Sequence, residues 1–167
     1  DALKSYINKQ FPNSKADLMA TYMERCLDFC IINGKYAMIN MQSWMFLSSF
    51  VRLRKNLIKT TQIDSMLHLG PHTFDELSGE VVQNTAFVVS NINDAENAEC
   101  NGTYYRLVDG KNCADKERMF LENRDVNVDS AKVYYPVVKQ KDFEKIPGCP
   151  ISYNVTEKAI GLFNYTN

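Results

Sequence analysis

Two histidines, five cysteines, one tryptophan and a cluster of carboxylates are the side chains with chemistry to offer, and spacing limits what each can do. His68 and His72 stand four apart, a separation at which two imidazoles share a helical face. His68, however, lies in a strand-like run and His72 follows Gly70-Pro71, so they share none. A metal centre needs three or four ligands, and the neighbouring residues do not supply them; no metal is expected. The residues favour a strand-end histidine satisfied by the main chain. Asp75, Glu76 and Glu80 could serve as paired general acids, and an acidic surface loop accounts for them equally well. Cys26 and Cys30 fall one helical turn apart on an apolar stripe, where cysteine is most often a small core residue. The five cysteines are odd in number and form no CxxC pair, which points to reduced thiols. Trp44 opens a helical pattern directly after a strand. It is either core or a projection from the strand's carboxyl end, where open α/β sheets place their ligands. Phe74 stands among Gly, Pro, His, Asp and Glu, and such a ring either tucks back onto the local core or waits for something to pack on it. Nucleophile-elbow, Walker, GxGxxG and HExxH motifs are absent.

The elements that must position these side chains follow from periodicity. Leu18, Tyr22, Cys26, Phe29 and Cys30 form one stripe at helical spacing, predicting a helix over 14–32 with Ser14 as its cap and Asn33-Gly34 as its stop. Residues 36–40 read as a short buried strand, so that helix, turn and strand make the second half of a βαβ unit. A helix is predicted over 43–59, with Arg52, Arg54, Lys55 and Lys59 on or beside its solvent face. The run 63–69 alternates as a strand does, 71–80 is a loop holding Phe74, and 81–89 is rich in β-branched residues. After a polar, acidic excursion over 91–101 come a strand at 103–108, a short helix at 113–122 and a weak strand at 133–138. The steps Ile146-Pro147 and Cys149-Pro150 suggest a boundary or linker before a last helical pattern at 156–163.

The 167 residues are 45% hydrophobic and 23% charged, which suits one globular domain or a large part of one. No apolar run approaches the roughly 20 residues of a membrane span, and the first residues lack a signal peptide's apolar region. A cytoplasmic protein is the default expectation, and the N-x-T triplets at Asn101, Asn154 and Asn164 are discounted on that ground. The net charge of −1 hides a division into +5 over residues 1–60, −8 over 61–130 and +2 over 131–167. The basic first third can face phosphates, with Arg52, Arg54, Lys55 and Lys59 as candidate contacts, although a solvated face is the commoner fate of such a run.

The run SKADLMATYMERCLDFCIINGKYAMINMQSWMF (Ser14 to Phe46), the helix FVRLRKNLIK and the run HLGPHTFDELSGEVVQNTAFVVSN (His68 to Asn91) together resemble the middle of a DNA adenine-N6 methyltransferase. More narrowly, they resemble the PglX-type methylases of BREX phage-defence systems and the methylase subunits of related restriction enzymes. GTYYRLVDG (Gly102 to Gly110) and DFEKIPGCPISY (Asp142 to Tyr153) fit the same group, in the same order. The resemblance implies the C-terminal half of a class I, doubly wound α/β sheet that uses S-adenosylmethionine and acts on an adenine flipped from double-stranded DNA. It implies that Asp17 and Leu18 lie near the cofactor. Asn40, Gln42 and Trp44 would line the target-base or cofactor cleft, and Phe74 would stack on the extruded adenine.

A stacked base regains about 1–3 kcal/mol from a side-chain ring, which is the physical case for Phe74. The family's Asn/Asp-Pro-Pro-Tyr/Phe tetrapeptide and its glycine-rich cofactor loop are absent from these residues. The expectation is therefore a partial enzyme that begins just after its catalytic motif and is inactive alone. Residues 1–91 would belong to the catalytic domain, 92–140 to an insertion or extension, and 141–167 to a linker towards a target-recognition region. A non-catalytic DNA- or subunit-binding module is the alternative, and a methyltransferase of the same fold acting on RNA or protein is a more distant one. Other defence-system subunits are implied as partners, and an exposed sheet edge would favour self-association.

Overall fold

An aspartate one residue ahead of each of the first two helices receives a main-chain amide, Asp1 from Leu3 at 3.0 Å and Asp17 from Met19 at 2.8 Å. These caps open α1 (Ala2–Gln10) and α2 (Leu18–Asp28) and satisfy donors that the first turn leaves unpaired. Asp17 thus takes the capping role expected of Ser14, whose buried hydroxyl instead donates to Glu24. The computed structural model describes residues 1–75, 82–92, 99–124 and 133–163. Asn33 adopts a left-handed conformation (φ 65°) at the stop expected there, and β1 (Lys35–Met41) follows.

Two 3-10 turns, Gln42–Met45 and Ser48–Phe50, precede α3 (Val51–Thr60), so one continuous helix from 43 does not form. Strands β2 (Thr61–Gly70), β3 (Asn84–Asn91) and β4 (Asn101–Arg106), helix α4 (Cys113–Asn123), strand β5 (Tyr134–Lys139) and the short helix α5 (Glu157–Leu162) complete the mixed α/β fold. The strand expected from Val81 begins at Asn84, and residue 81 lies outside the described residues.

The five strands form one sheet in the order β1-β3-β2-β4-β5. Among the described residues only β2 and β4 pair in parallel; β1 with β3, β2 with β3, and β4 with β5 are antiparallel. Strands β1 and β2 therefore run the same way, joined through α3, with β3 inserted between them. This split βαβ unit, β1–α3–β2, is not the one read from the sequence, of which helix α2, the turn and β1 are present in the expected order. Being an edge, β1 alternates rather than being buried throughout: Tyr36 and Asn40 face the core, while Ile39 and Met41 are exposed.

One face of the sheet carries the main core. Met66, Phe87, Val89 and Tyr104 pack there against Ala20 and Met23 of α2, Leu53 and Leu57 of α3, and the segment from Phe143 to Tyr153. Phe143, Ile151 and Tyr153 are buried, so residues 141–153 are an integral layer of the fold rather than a departing linker. Likewise β4 and β5, from the region read as an insertion, extend the same sheet. Pro136 is tolerated because β5 is an edge. On the opposite face α4 packs over Leu69, Tyr105 and Leu107, and among the described residues a groove of about 560 Å³ lies over Ala37, Ile39, Leu67 and Val88.

Buried polar side chains bind these layers together. Gln140 donates to the carbonyls of Ile58 (3.0 Å) and Thr61 (2.6 Å) and accepts from the Ile63 amide at 2.9 Å. Gly102 sits at a register shift of β4, where a β-carbon would strike the Ile63 carbonyl and the Tyr104 ring. Gly102→Ala is expected to cost about 2 kcal/mol of stability, read from the urea midpoint at unchanged helix content.

Candidate functional site

Because β1, β2 and β4 run in one direction, their carboxyl ends share one edge of the sheet, joined there by the start of β3. The Gln42 amide donates to the Gln83 carbonyl at 2.8 Å and extends the β1–β3 ladder one step past its last pair. Met41, Phe46 and Leu47 are exposed on this edge or just beyond it. The loop after β2 is held at several points. Gly70 takes φ +68° and His72 φ +54°, the Thr73 hydroxyl donates to the Gly70 carbonyl at 3.0 Å, and Asp75 accepts from the Cys113 amide at 3.3 Å. Behind the loop the Lys116 ammonium, buried and pushed below the usual lysine range by desolvation, donates to the carbonyls of Leu69, Gly110 and Leu107 at 2.7, 2.8 and 3.1 Å. A loop so tied presents Phe74 with 41% of its surface exposed, which argues against the ring tucking back into the core. Glu76 and Glu80, considered as general acids, lie outside the described residues.

At the centre of the edge is His68, whose Nδ1 lies 2.7 Å from the Tyr153 hydroxyl and whose Nε2 lies 2.6 Å from Gln42 Oε1. Its ring also meets Tyr153 edge-on, with centroids 5.9 Å apart, and tilts against Phe46 at the same separation. Tyr153 in turn stacks on Tyr104 at 5.1 Å, which anchors the array in the core. Burial, with the Arg106 and Lys116 charges adding to it, pushes the His68 pKa from 6.5 down to about 4. Burial likewise raises the Tyr153 hydroxyl well above its ordinary value.

The unfolded chain takes up the His68 proton first as pH falls. Stability is therefore full above pH 6.5 and declines as pH drops through the interval from 6.5 to about 4. The expected loss is on the order of 2 kcal/mol after discounting for partial exposure, seen in urea midpoints between pH 7 and 4.5 and removed in His68→Gln.

The residues singled out from the sequence separate into two groups. Gln42 and Phe74 are at the carboxyl edge. Asp17 and Leu18 start α2, which packs on β1 and leads into it through a short turn, so this helix end lies towards the same edge. Asn40 and Trp44 do not line a cleft: Asn40 is on the core face, accepting from the Thr85 hydroxyl at 3.4 Å. Trp44 is fully buried against Phe87, centroids 5.2 Å apart. Arg54 is no phosphate contact either, since it is 1% exposed and engages only main-chain carbonyls. Arg52, Lys55 and Lys59 are exposed. Helix α3 runs back along β2, which puts Arg52 near the carboxyl edge and Lys59 at the far end.

Sequence reasoning missed the cluster of His68, Tyr153 and Gln83, which joins segments up to 85 positions apart. One signal was available: His68 shares the inward parity of Met66, and a polar side chain on a core face requires a partner.

The first 74 residues match the family model of the Eco57I restriction-modification methylase. Over 99% of its length the chain is 41% identical to the adenine-specific methyltransferase PglX of Lacticaseibacillus casei (strain Zhang), of which it spans 13%. Over 96% it is 40% identical to the adenine-specific methyltransferase BrxX of Escherichia coli O9:H4 (strain HS), of which it spans 12%. A type I restriction-modification methyltransferase subunit from Streptococcus thermophilus aligns with 73% of this chain and 25% of its own, at 14% identity and a TM-score of 0.48. With identity near 40% sustained from end to end, the chain is similar to a segment of about an eighth of the length of the PglX and BrxX adenine-specific methyltransferases.

Proposed function

We propose that this chain forms the target-base side of a DNA adenine-N6 methyltransferase that serves a restriction-modification or phage-defence system. The observation that carries the reading is Phe74, an exposed ring between residues Thr73 and Asp75 that are each tied by a hydrogen bond, at the edge of the sheet that also presents Gln42 and His68. In the proposed complex with duplex DNA, the ring replaces a stacking neighbour that the adenine loses on leaving the helix. Arg52 and Lys55 are the phosphate contacts that exposure allows, with Lys59 further away.

S-adenosylmethionine, when bound, supplies the methyl group. The residues present fit one rim of its site: Asp17 offers a carboxylate for ribose hydroxyls, although one oxygen already caps α2, and half-exposed Leu18 offers apolar surface. These 167 residues contain no Asn-Pro-Pro-Tyr sequence, so the groups that would hold the reacting amino nitrogen are not in this chain. Methylation is thus a property proposed for the longer polypeptide, acting in the cytoplasm with further defence-system subunits. The open edge of β1 is a surface for self-association. No helix among the described residues is long and apolar enough to cross a membrane.

In the full-length polypeptide, Phe74→Ala is expected to raise the KM for duplex DNA about tenfold to a hundredfold while cofactor affinity stays within twofold. Placing an abasic site opposite the target adenine, which lowers the cost of extrusion, should recover part of the loss. Equal loss of cofactor and DNA affinity would assign Phe74 to the core and overturn the reading.

A further inference from the structure

We infer that Gln42 and Gln83 form a paired-amide contact that presents N–H donors to the substrate strand, with its polarity set by His68 and Tyr153. The inference rests on the proposed nucleic-acid reading of this edge. It follows from the order of donors and acceptors along the cluster. Gln42 Oε1 can only accept, so at 2.6 Å His68 Nε2 carries the hydrogen. A neutral imidazole then leaves the Nδ1 lone pair to the Tyr153 hydroxyl at 2.7 Å. The charged groups bearing on the ring, Arg106 on the paired position of β4 and Lys116 of α4, are both cationic and disfavour its protonation.

With its oxygen committed to His68, Gln42 turns its amide nitrogen outward and donates to Gln83 Oε1. Gln83 is exposed, and the amide hydrogens of its Nε2 end the chain. The ladder is already closed there by the main-chain bond from Gln42 to Gln83, so the side-chain pair is not needed to hold the strands together. The arrangement leaves the Gln83 amide hydrogens to be donated, near the exposed Phe46 and Leu47, and so suits an uncharged or anionic acceptor next to apolar surface. A purine ring nitrogen and a phosphate oxygen of the strand share that chemistry.

Two measurements test the inference. In this chain labelled with ¹⁵N, two-bond proton–nitrogen correlations should show His68 as the Nε2–H tautomer at pH 7. The Nδ1–H tautomer would reverse the polarity and overturn the proposal. In the full-length polypeptide, binding of oligonucleotides is compared after replacing the target adenine by 1-deaza-, 3-deaza- or 7-deazaadenine, or a flanking phosphate by methylphosphonate. One replacement should weaken wild-type binding about tenfold, and Gln83→Ala should erase that difference. Sensitivity to a deaza base assigns the contact to the base, and sensitivity to methylphosphonate assigns it to the backbone. A polypeptide that binds DNA but discriminates the analogues equally well with Gln83→Ala overturns this inference alone. One that binds no DNA overturns the proposed function and the substrate contact together.

Discussion

Arg54→Ala should lower the free energy of unfolding by about 4 kcal/mol, with a fall in Tm of roughly 10 °C. The guanidinium is buried with no carboxylate partner among the described residues. Its Nη1 donates to the carbonyls of Trp44 and Leu47 at 2.8 Å each, Nη2 to Gly148 at 2.7 Å, and Nε to Cys149 and Gly148 at 3.0 and 3.1 Å. Desolvation pulls its pKa below the usual arginine range. Four carbonyls from two chain segments thus converge on one planar cation, locking the turns after β1 to the segment around Gly148. Alanine removes the guanidinium donors from those carbonyls in a site closed to water, leaving Leu47 with its bond from the Phe50 amide at 3.1 Å. Lysine restores charge but not the fork, so Arg54→Lys should recover less than half of the loss. Urea denaturation followed by circular dichroism measures both. A phosphate contact would behave differently: removing it leaves stability intact and reduces the salt dependence of DNA binding by about one unit of slope. A stability loss under 1 kcal/mol would therefore remove the structural role assigned to Arg54.

Trp44→Ala is expected to cost a similar amount, about 3–5 kcal/mol, by opening a large cavity against Phe87 and the surrounding core. The indole N–H is only weakly engaged with the Thr85 hydroxyl at 3.4 Å, so the loss is chiefly of packing. Trp44→Phe keeps most of the contact area and should cost under half as much. Arg54 bonds the main-chain carbonyl of Trp44, which alanine keeps, so any non-additivity of the two alanine substitutions in a double-mutant cycle would report a shift of that turn. Were Trp44 a cleft residue, its alanine variant would stay folded and lose ligand affinity instead. Near-wild-type stability would reinstate that reading.

These two residues show where sequence reasoning stopped. The basic run Arg52, Arg54, Lys55 and Lys59 is one composition with two fates. At helical spacing Arg54 lies about 200° from Arg52 and 100° from Lys55, which places it beside the apolar stripe of Leu53 and Leu57. That position was legible as ambiguous. Only the arrival of Gly148 and Cys149 from nearly a hundred residues away decides that the guanidinium is enclosed. Trp44 follows β1 directly, so its place after a strand end was correctly read, but the direction of its ring depends on the 3-10 turn that replaces a full helix there. The start of the loop that carries Phe74 is set locally, by a left-handed Gly70 and a Thr73 hydroxyl turned back on it.

The sequence by itself determined what depends on neighbours along the chain. The stop at Asn33, the alternation of β2 and the helix at 113–123 are set by bonds spanning a few residues, whereas the cap expected at Ser14 formed at Asp17 and the helix capped by Asp1 was not expected. It also carried the family resemblance, since nearly the whole chain aligns with its relatives. Tertiary structure decided which polar side chains face one another: His68 with Tyr153, Gln42 with Gln83, Arg54 with Gly148, and Gln140 with Ile63. A strand's period of two specifies a face but not what covers it. The segment 143–153 covers the face carrying His68, and its Pro steps read locally as a boundary while its buried Phe143, Ile151 and Tyr153 make it core. Burial of a polar group is a property of long-range packing, and it is burial that turns a solvated histidine or arginine into one whose every hydrogen bond is specified.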